Sequence, residues 1–178
     1  MATLPIEELP PVTVEEYLLT SYEPDCDYVD GRIEERNVGE HDHGFLQILL
    51  GTLFTNNRKL WGVHTVTVVR TQVSPKRFRV PDISVMRADA PRGPILRTPP
   101  LIAIEILSPE DRLNRLQVKA DDYLAFGIAH IWMIDPENRI AYTADRFGFH
   151  SVQDGELTVP GTAIRVVLGE LFAELDRQ

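Results

Sequence analysis

Cysteine is nearly missing from this 178-residue chain. Cys26 stands alone, so no disulfide can close within the chain, and any metal site must be built from oxygen and nitrogen ligands. That donor set favours a hard cation such as Mg2+, with Mn2+ as a substitute. Long apolar runs are missing too, since nothing approaches the roughly 20 residues needed to span a bilayer. The opening Met1-Ala2-Thr3-Leu4-Pro5-Ile6-Glu7-Glu8 lacks the basic and apolar regions of a signal peptide. These absences predict a cytoplasmic protein with no membrane partner. Positive charge is scarce: 18 Lys and Arg face 27 Asp and Glu, for a net charge of −9. That balance excludes a protein that coats nucleic acid through bulk charge, so a polyanion must meet a local patch. Gly39 and Gly44 belong to neither a GxGxxG nor a P-loop pattern, and no GxSxG elbow is present.

The remaining composition, 43% hydrophobic and 25% charged, is that of an ordinary soluble protein, and the length predicts one domain over residues 1–178. Residues 1–12 are proline-rich and read as a loose leader. Thr13 and Glu16 form a capping box before a short helix, Val14 to Leu19. In Asp27-Tyr28-Val29-Asp30-Gly31-Arg32-Ile33-Glu34, the Asp-Gly step between two strand-like arms signals a hairpin with a type I′ turn. Between about Asp42 and Lys59 the residues Phe45, Leu46, Leu49, Leu50, Leu53 and Phe54 recur at helical spacing, and Gly62 follows as a stop.

Strands are predicted over His64 to Arg70, Val80 to Met86 and Leu101 to Leu107, the three forming the centre of a sheet. Ser108-Pro109-Glu110-Asp111 reads as the start of a helix that runs to about Phe126, before Gly127. A strand over Ile128 to Ile134, a turn at Asp135-Pro136-Glu137-Asn138 and a returning strand at Arg139 to Thr143 follow. Later hairpins turn at Asp154-Gly155, and a helix spans Leu168 to Leu175. The expected fold is α/β: a central mixed sheet flanked by helices, with an α-β-β-β-α-β core and accessory β-hairpins.

Two of these strands contain an acid where none is expected. Glu105 interrupts Leu101-Ile102-Ala103-Ile104-Glu105-Ile106-Leu107, and Asp82 interrupts Val80-Pro81-Asp82-Ile83-Ser84-Val85-Met86. Strands this apolar are buried on both faces. A carboxylate withdrawn from water there costs several kcal/mol, as an order of magnitude, unless a cation or donors satisfy it. Alternation puts Glu105 on a face with Ala103 and Leu107, and Asp82 with Val80 and Ser84. Neighbouring strands in register would bring the two within reach of one metal, the Ile106 carbonyl being a further oxygen ligand. A metal held so can polarise a phosphoryl group and lower the pKa of a bound water.

Only three bases are lysines, Lys59, Lys76 and Lys119. On the helix after Glu105, Leu113, Leu116, Ala120, Tyr123 and Leu124 make a stripe expected to be buried, beside a basic edge of Arg112, Arg115 and Lys119. Lys119 borders the core, where its amine could steady a hydroxide or a developing negative charge. Arginines also cluster at Arg70, Arg77 and Arg79. Glu40, His41, Asp42 and His43 open the first long helix, as caps or as an additional ligand. His64, His130 and His150 lack metal-ligand spacing, and Trp61 and Trp132 read as core or sheet-edge aromatics.

Asp30-Gly31 before a His-opened helix, Pro81-Asp82-Ile83, Pro99-Pro100 before Glu105-Ile106-Leu107-Ser108-Pro109, Lys119 with Tyr123, Gly127, and Trp132 to Pro136 form a specific series. From about Asp27 to Thr143 it resembles the Uma family, restriction endonuclease-like proteins of the PD-(D/E)xK nuclease superfamily. The resemblance implies that Asp82 and Glu105 bind a divalent metal and that Lys119 is the catalytic lysine, with His43 matching the family's histidine at the helix start. One position departs from the superfamily pattern: Leu107 stands two residues after the acid, where lysine is usual, so the amine must come from the following helix. The expectation is a magnesium-dependent endonuclease acting on nucleic acid, DNA in particular. Cutting both strands of a duplex needs two sites, which suggests a homodimer. The alternative is an inactive module of the same fold, its acids neutralised by Arg115 or Lys119, that binds DNA or a protein partner.

Overall fold

Thr13 accepts the Glu16 N–H at 3.1 Å and Glu16 returns a bond to the Thr13 N–H at 2.8 Å, a closed capping box that starts helix α1 (Val14–Leu19). The computed structural model describes residues 10–37 and 40–177. Most of the expected leader, residues 1–9, lies outside the described residues. Its last part is not loose: the Val12 N–H donates to the Gly31 carbonyl at 2.8 Å, and the Tyr28 hydroxyl to the Val12 carbonyl.

The hairpin of β1 (Asp27–Val29) and β2 (Arg32–Glu34) turns at Asp30 and Gly31, with φ of 49° and 95°. Positive φ at both central residues is the type I′ geometry that Asp-Gly permits. Helix α2 (His41–Trp61) ends on Gly62 in the left-handed conformation. The strand expected over His64 to Arg70 is shorter. β3 (Val63–Thr67) stops where Val68 takes a positive φ of 53°, and the chain leaves for a hairpin that the sequence reading lacked, β4 (Thr71–Ser74) and β5 (Arg77–Arg79). These strands join the first hairpin in a four-stranded sheet ordered β2-β1-β5-β4, sealed by Tyr17, Tyr28 and Phe78.

The main sheet has six strands. β6 (Ile83–Arg87) and β7 (Ile102–Ile106) are antiparallel, and β7 runs parallel to β8 (His130–Asp135) across helix α3 (Leu113–Phe126). With β9 (Ile140–Asp145) and β10 (Gly148–Ser151) the order is β10-β9-β8-β7-β6-β3. The centre is therefore β8-β7-β6, and β3 is an edge. The α-β-β-β-α-β order is present as α2, β3, β6, β7, α3 and β8, with the β4–β5 hairpin inserted. A small hairpin, β11 (Glu156–Thr158) with β12 (Arg165–Val167), leads into α4 (Leu168–Leu175).

Both faces of β7 are covered. Ile102, Ile104 and Ile106 pack with Leu46, Leu50 and Phe54 of α2 and with the apolar side of α4. Ala103 packs with Leu116, Ala120 and Tyr123 of α3 and with Ile131 and Met133 of β8. Two expectations for α3 are corrected. It begins at Leu113 rather than Ser108, because the Asp111 carboxylate takes the Ser108 N–H at 2.7 Å while the Asp111 N–H bonds the Ser108 carbonyl, closing a turn instead of a first helical turn. Leu113 consequently sits at the mouth of the helix, 73% exposed, and is not part of the buried stripe.

Candidate active site

Residues with no regular pairing bring Asp82 into the site. Pro81 has no N–H to give a ladder, and β6 begins at Ile83, immediately after the acid. The Asp82 carbonyl is held by the Gln47 amide of α2 at 2.8 Å and the Val68 N–H at 3.3 Å. Extending the Ile83–Ile104 register by one residue sets Asp82 opposite Glu105, and directly opposite residues share a face. The two acids anticipated in separate strands are thus neighbours, 3% and 5% exposed.

Asp82 uses its oxygens differently. Oδ2 accepts the Ile106 N–H at 2.8 Å and faces His43 Nε2 at 3.2 Å; Oδ1 meets the Arg36 guanidinium. Burial pushes the Asp82 carboxyl up, but the His43 hydrogen bond, with the charges of His43, Arg36 and Lys119, outweighs it and holds the group below the usual aspartate range. The same bond lifts the His43 imidazole above its ordinary value against the opposing effect of its own burial.

Glu105 has a different balance. Lys119 Nζ donates to Oε2 at 3.1 Å, and the buried Tyr123 hydroxyl donates to Oε1. Burial still dominates, helped by the Asp82 charge, and raises the Glu105 carboxyl above the usual range. Burial lowers the Lys119 amine, but Asp27, Glu105 and Asp82 together leave it raised and cationic.

Behind Lys119 lies a second buried network. Asp27 stands 3.7 Å from Lys119 Nζ, accepts the Val80 N–H at 2.8 Å and pairs with Arg79 at 3.1 Å. Arg79 also bonds Asp122 of α3 and Glu34, and Arg77 links Asp122 to Asp30. This network anchors α3 to the hairpin sheet and so sets where Lys119 points.

All four site residues anticipated from sequence, Asp82, Glu105, Lys119 and His43, line one cavity of about 60 Å³ with Arg36, Asp27, Arg79 and Arg115. Of the residues opening α2, only His43 turns inward; exposed His41 and half-buried Asp42 pair with each other, and Glu40 makes no side-chain cap. Arg115 does not neutralise the acids, since its guanidinium goes to the Glu35 carbonyl at 3.3 Å. Arg70 is likewise committed elsewhere, to Asp25 and the Tyr17 ring. Sequence reasoning missed Arg36, Asp27 and Gln47. Asp27 carried a usable signal, a charge in a short strand next to aromatic Tyr28; Arg36 and Gln47 carried none.

The cavity suits a small hydrated cation rather than an organic cofactor, whose pockets run to hundreds of Å³. Among the described residues no three acidic, imidazole or thiolate side chains form a ready-made ligand cluster. Magnesium needs only one or two carboxylates, with water and substrate oxygens completing its shell. Asp82 and Glu105 are two such carboxylates side by side, and the Arg36 guanidinium stands against Asp82.

Comparison with known proteins identifies the family and the fold. A family model described as "Uma2: Putative restriction endonuclease" matches residues 14–145, which supports a nuclease function. The crystal structure of "a putative nuclease belonging to DUF820 from Anabaena variabilis ATCC 29413" superposes with a TM-score of 0.80 at 23% identity, covering 93% of this chain and 99% of that one. At that identity it shows a shared fold. A DrdV–DNA complex gives a TM-score of 0.42 at 15% identity, over 73% of this chain and 10% of that one, too remote to argue from. No curated protein matches. Among the described residues no helix is long and apolar enough to cross a membrane.

Proposed function

Because the chain belongs to the Uma2 family, we propose that it is a metal-dependent endonuclease that hydrolyses phosphodiester bonds in DNA. The observation that carries this reading is the convergence of Asp82, Glu105 and Lys119, from two strands and a helix, on one small cavity. Asp82 and Glu105 would hold Mg2+ or Mn2+, which when bound polarises the phosphoryl oxygen and makes water a stronger nucleophile. Lys119, kept cationic by Asp27 and Glu105, offers a compact donor to the attacking oxygen and to charge developing on the phosphate. Tyr123 fixes the Glu105 carboxylate through Oε1 and leaves the Lys119 side of it toward the cavity. His43, with Nε2 against Oδ2, sets the orientation of Asp82. Arg115, which also lines the cavity, is a cation placed to meet a phosphate in a chain whose overall charge is −9.

One observation favours a second reading, a non-catalytic module of this fold: both acids already have protein cations as partners, Arg36 and Lys119. Incubation of duplex DNA with the protein and Mg2+ or Mn2+ separates the two. Cleavage that disappears in Glu105→Ala and Lys119→Ala, with circular dichroism unchanged, is the expected result. Cleavage surviving both substitutions overturns the nuclease assignment to this site.

A further inference from the structure

We propose that Arg36 is a built-in counter-ion that a divalent metal displaces from Asp82, so that arginine and metal compete for one carboxylate oxygen. This rests on the metal-dependent reading above. Asp82 Oδ2 accepts the Ile106 N–H at the end of a central strand, so a change of partner there would leave a buried backbone N–H unpaired. Among the described residues no backbone N–H reaches Oδ1, and the Arg36 guanidinium stands on it. A metal–oxygen bond of about 2.1 Å at Oδ1 would set a divalent ion within like-charge distance of that guanidinium. The arginine must move.

Its place in the chain permits this. Lys119 and His43 stand on helices, whereas Arg36 belongs to residues 35–37, which follow β2 and form no regular structure. Yet the pair is no casual surface contact: the Arg36 side chain is 13% exposed and that of Asp82 4%. A buried carboxylate without a cation destabilises the fold, so in the metal-free protein Arg36 does for Asp82 what the metal does in the loaded one. Apparent metal affinity is then scaled by the fraction of molecules in which Arg36 has left the oxygen; with Arg36 in place in about nine-tenths of them, it falls about tenfold.

Calorimetric titration with MnCl2, without nucleic acid, tests the exchange. Arg36→Gln should bind Mn2+ about tenfold more tightly than the native protein, and Asp82→Asn should bind none. Without metal Arg36→Gln should melt below the native protein, a gap that closes at saturating Mn2+. Unchanged or weaker binding by Arg36→Gln, while the native protein binds, overturns the exchange and leaves the metal site standing. Absence of Mn2+ binding in both folded proteins overturns the metal reading and the exchange with it. Should Arg36→Gln not fold, the native protein decides by NMR. The Arg36 Nε–H resonance must shift as Mg2+ binds, and a resonance that stays fixed while Mg2+ saturates the site refutes displacement.

Discussion

The two faces of β7 behave as different materials. One, with Ile102, Ile104 and Ile106, meets α2 and α4 through hydrocarbon alone. The other has Ala103 and then Glu105, and across from it α3 presents Leu116 and Tyr123 but also Lys119. Burial is equally complete on both sides, with Ile104 at 0% and Glu105 at 5% exposure. The apolar face gains from leaving water. The polar face gives some of that up, because each buried ion must be matched by another to recover its lost hydration. A strand with one face for stability can use the other for chemistry.

The contrast predicts opposite failures. On the polar face Lys119→Ala should lower cleavage by about 10²–10³-fold, the usual consequence of losing one donor to developing charge, with the fold intact by circular dichroism. A comparable loss of folded protein would show that the amine is structural. On the apolar face Ile104→Ala should cost about 2–5 kcal/mol of stability, read from denaturant melts, while cleavage per folded molecule stays near native. A selective loss of activity there would erase the division.

Metal should stabilise through the polar face only. At about 100 times Kd, a ligand bound to the native state adds about 2.7 kcal/mol, or several degrees in Tm for a chain of this size, and Asp82→Ala should abolish the rise. A rise that persists in Asp82→Ala would move the site elsewhere. The smallest effect belongs to the solvent-facing end of the ion network. The Arg77 hydrogen bond holds the Asp30 carboxyl below its ordinary value of 3.8. The folded state therefore takes up this proton less readily than the unfolded chain, so the pair stabilises above that value and ceases to do so as the pH falls through the lowered one. Asp30→Asn should lower Tm slightly at neutral pH, with the difference fading in acid. A difference independent of pH would show that the side chain serves the turn instead of the pair.

The acids were legible because their neighbours are not acidic: a charge inside Ile-Ala-Ile-Glu-Ile stands out against strand periodicity. Lys119 was legible through helical spacing beside the core, and His43 only through its resemblance to the family's histidine at this helix start. Arg36 was not, being one arginine among many, with a partner 46 positions along the chain. Asp27 fixes the Val80 N–H 53 positions away, a contact that no local pattern encodes. The early helix start at Ser108 failed for a local reason, since a cap-like Ser-Pro with acids following also suits a turn once the Asp111 side chain takes the Ser108 N–H. The strand expected to continue through Val68 failed because that residue turns the chain between two sheets.

By itself the amino-acid sequence determined the elements and the oddity within them, because hydrophobic periodicity and capping act over a few residues and a buried charge must be explained wherever it falls. Only the tertiary structure decided which partner each charge takes. Asp82 against Arg36 and His43, and Glu105 against Lys119 and Tyr123, are contacts between distant segments, and burial in one low-dielectric cavity makes every charge there depend on the others.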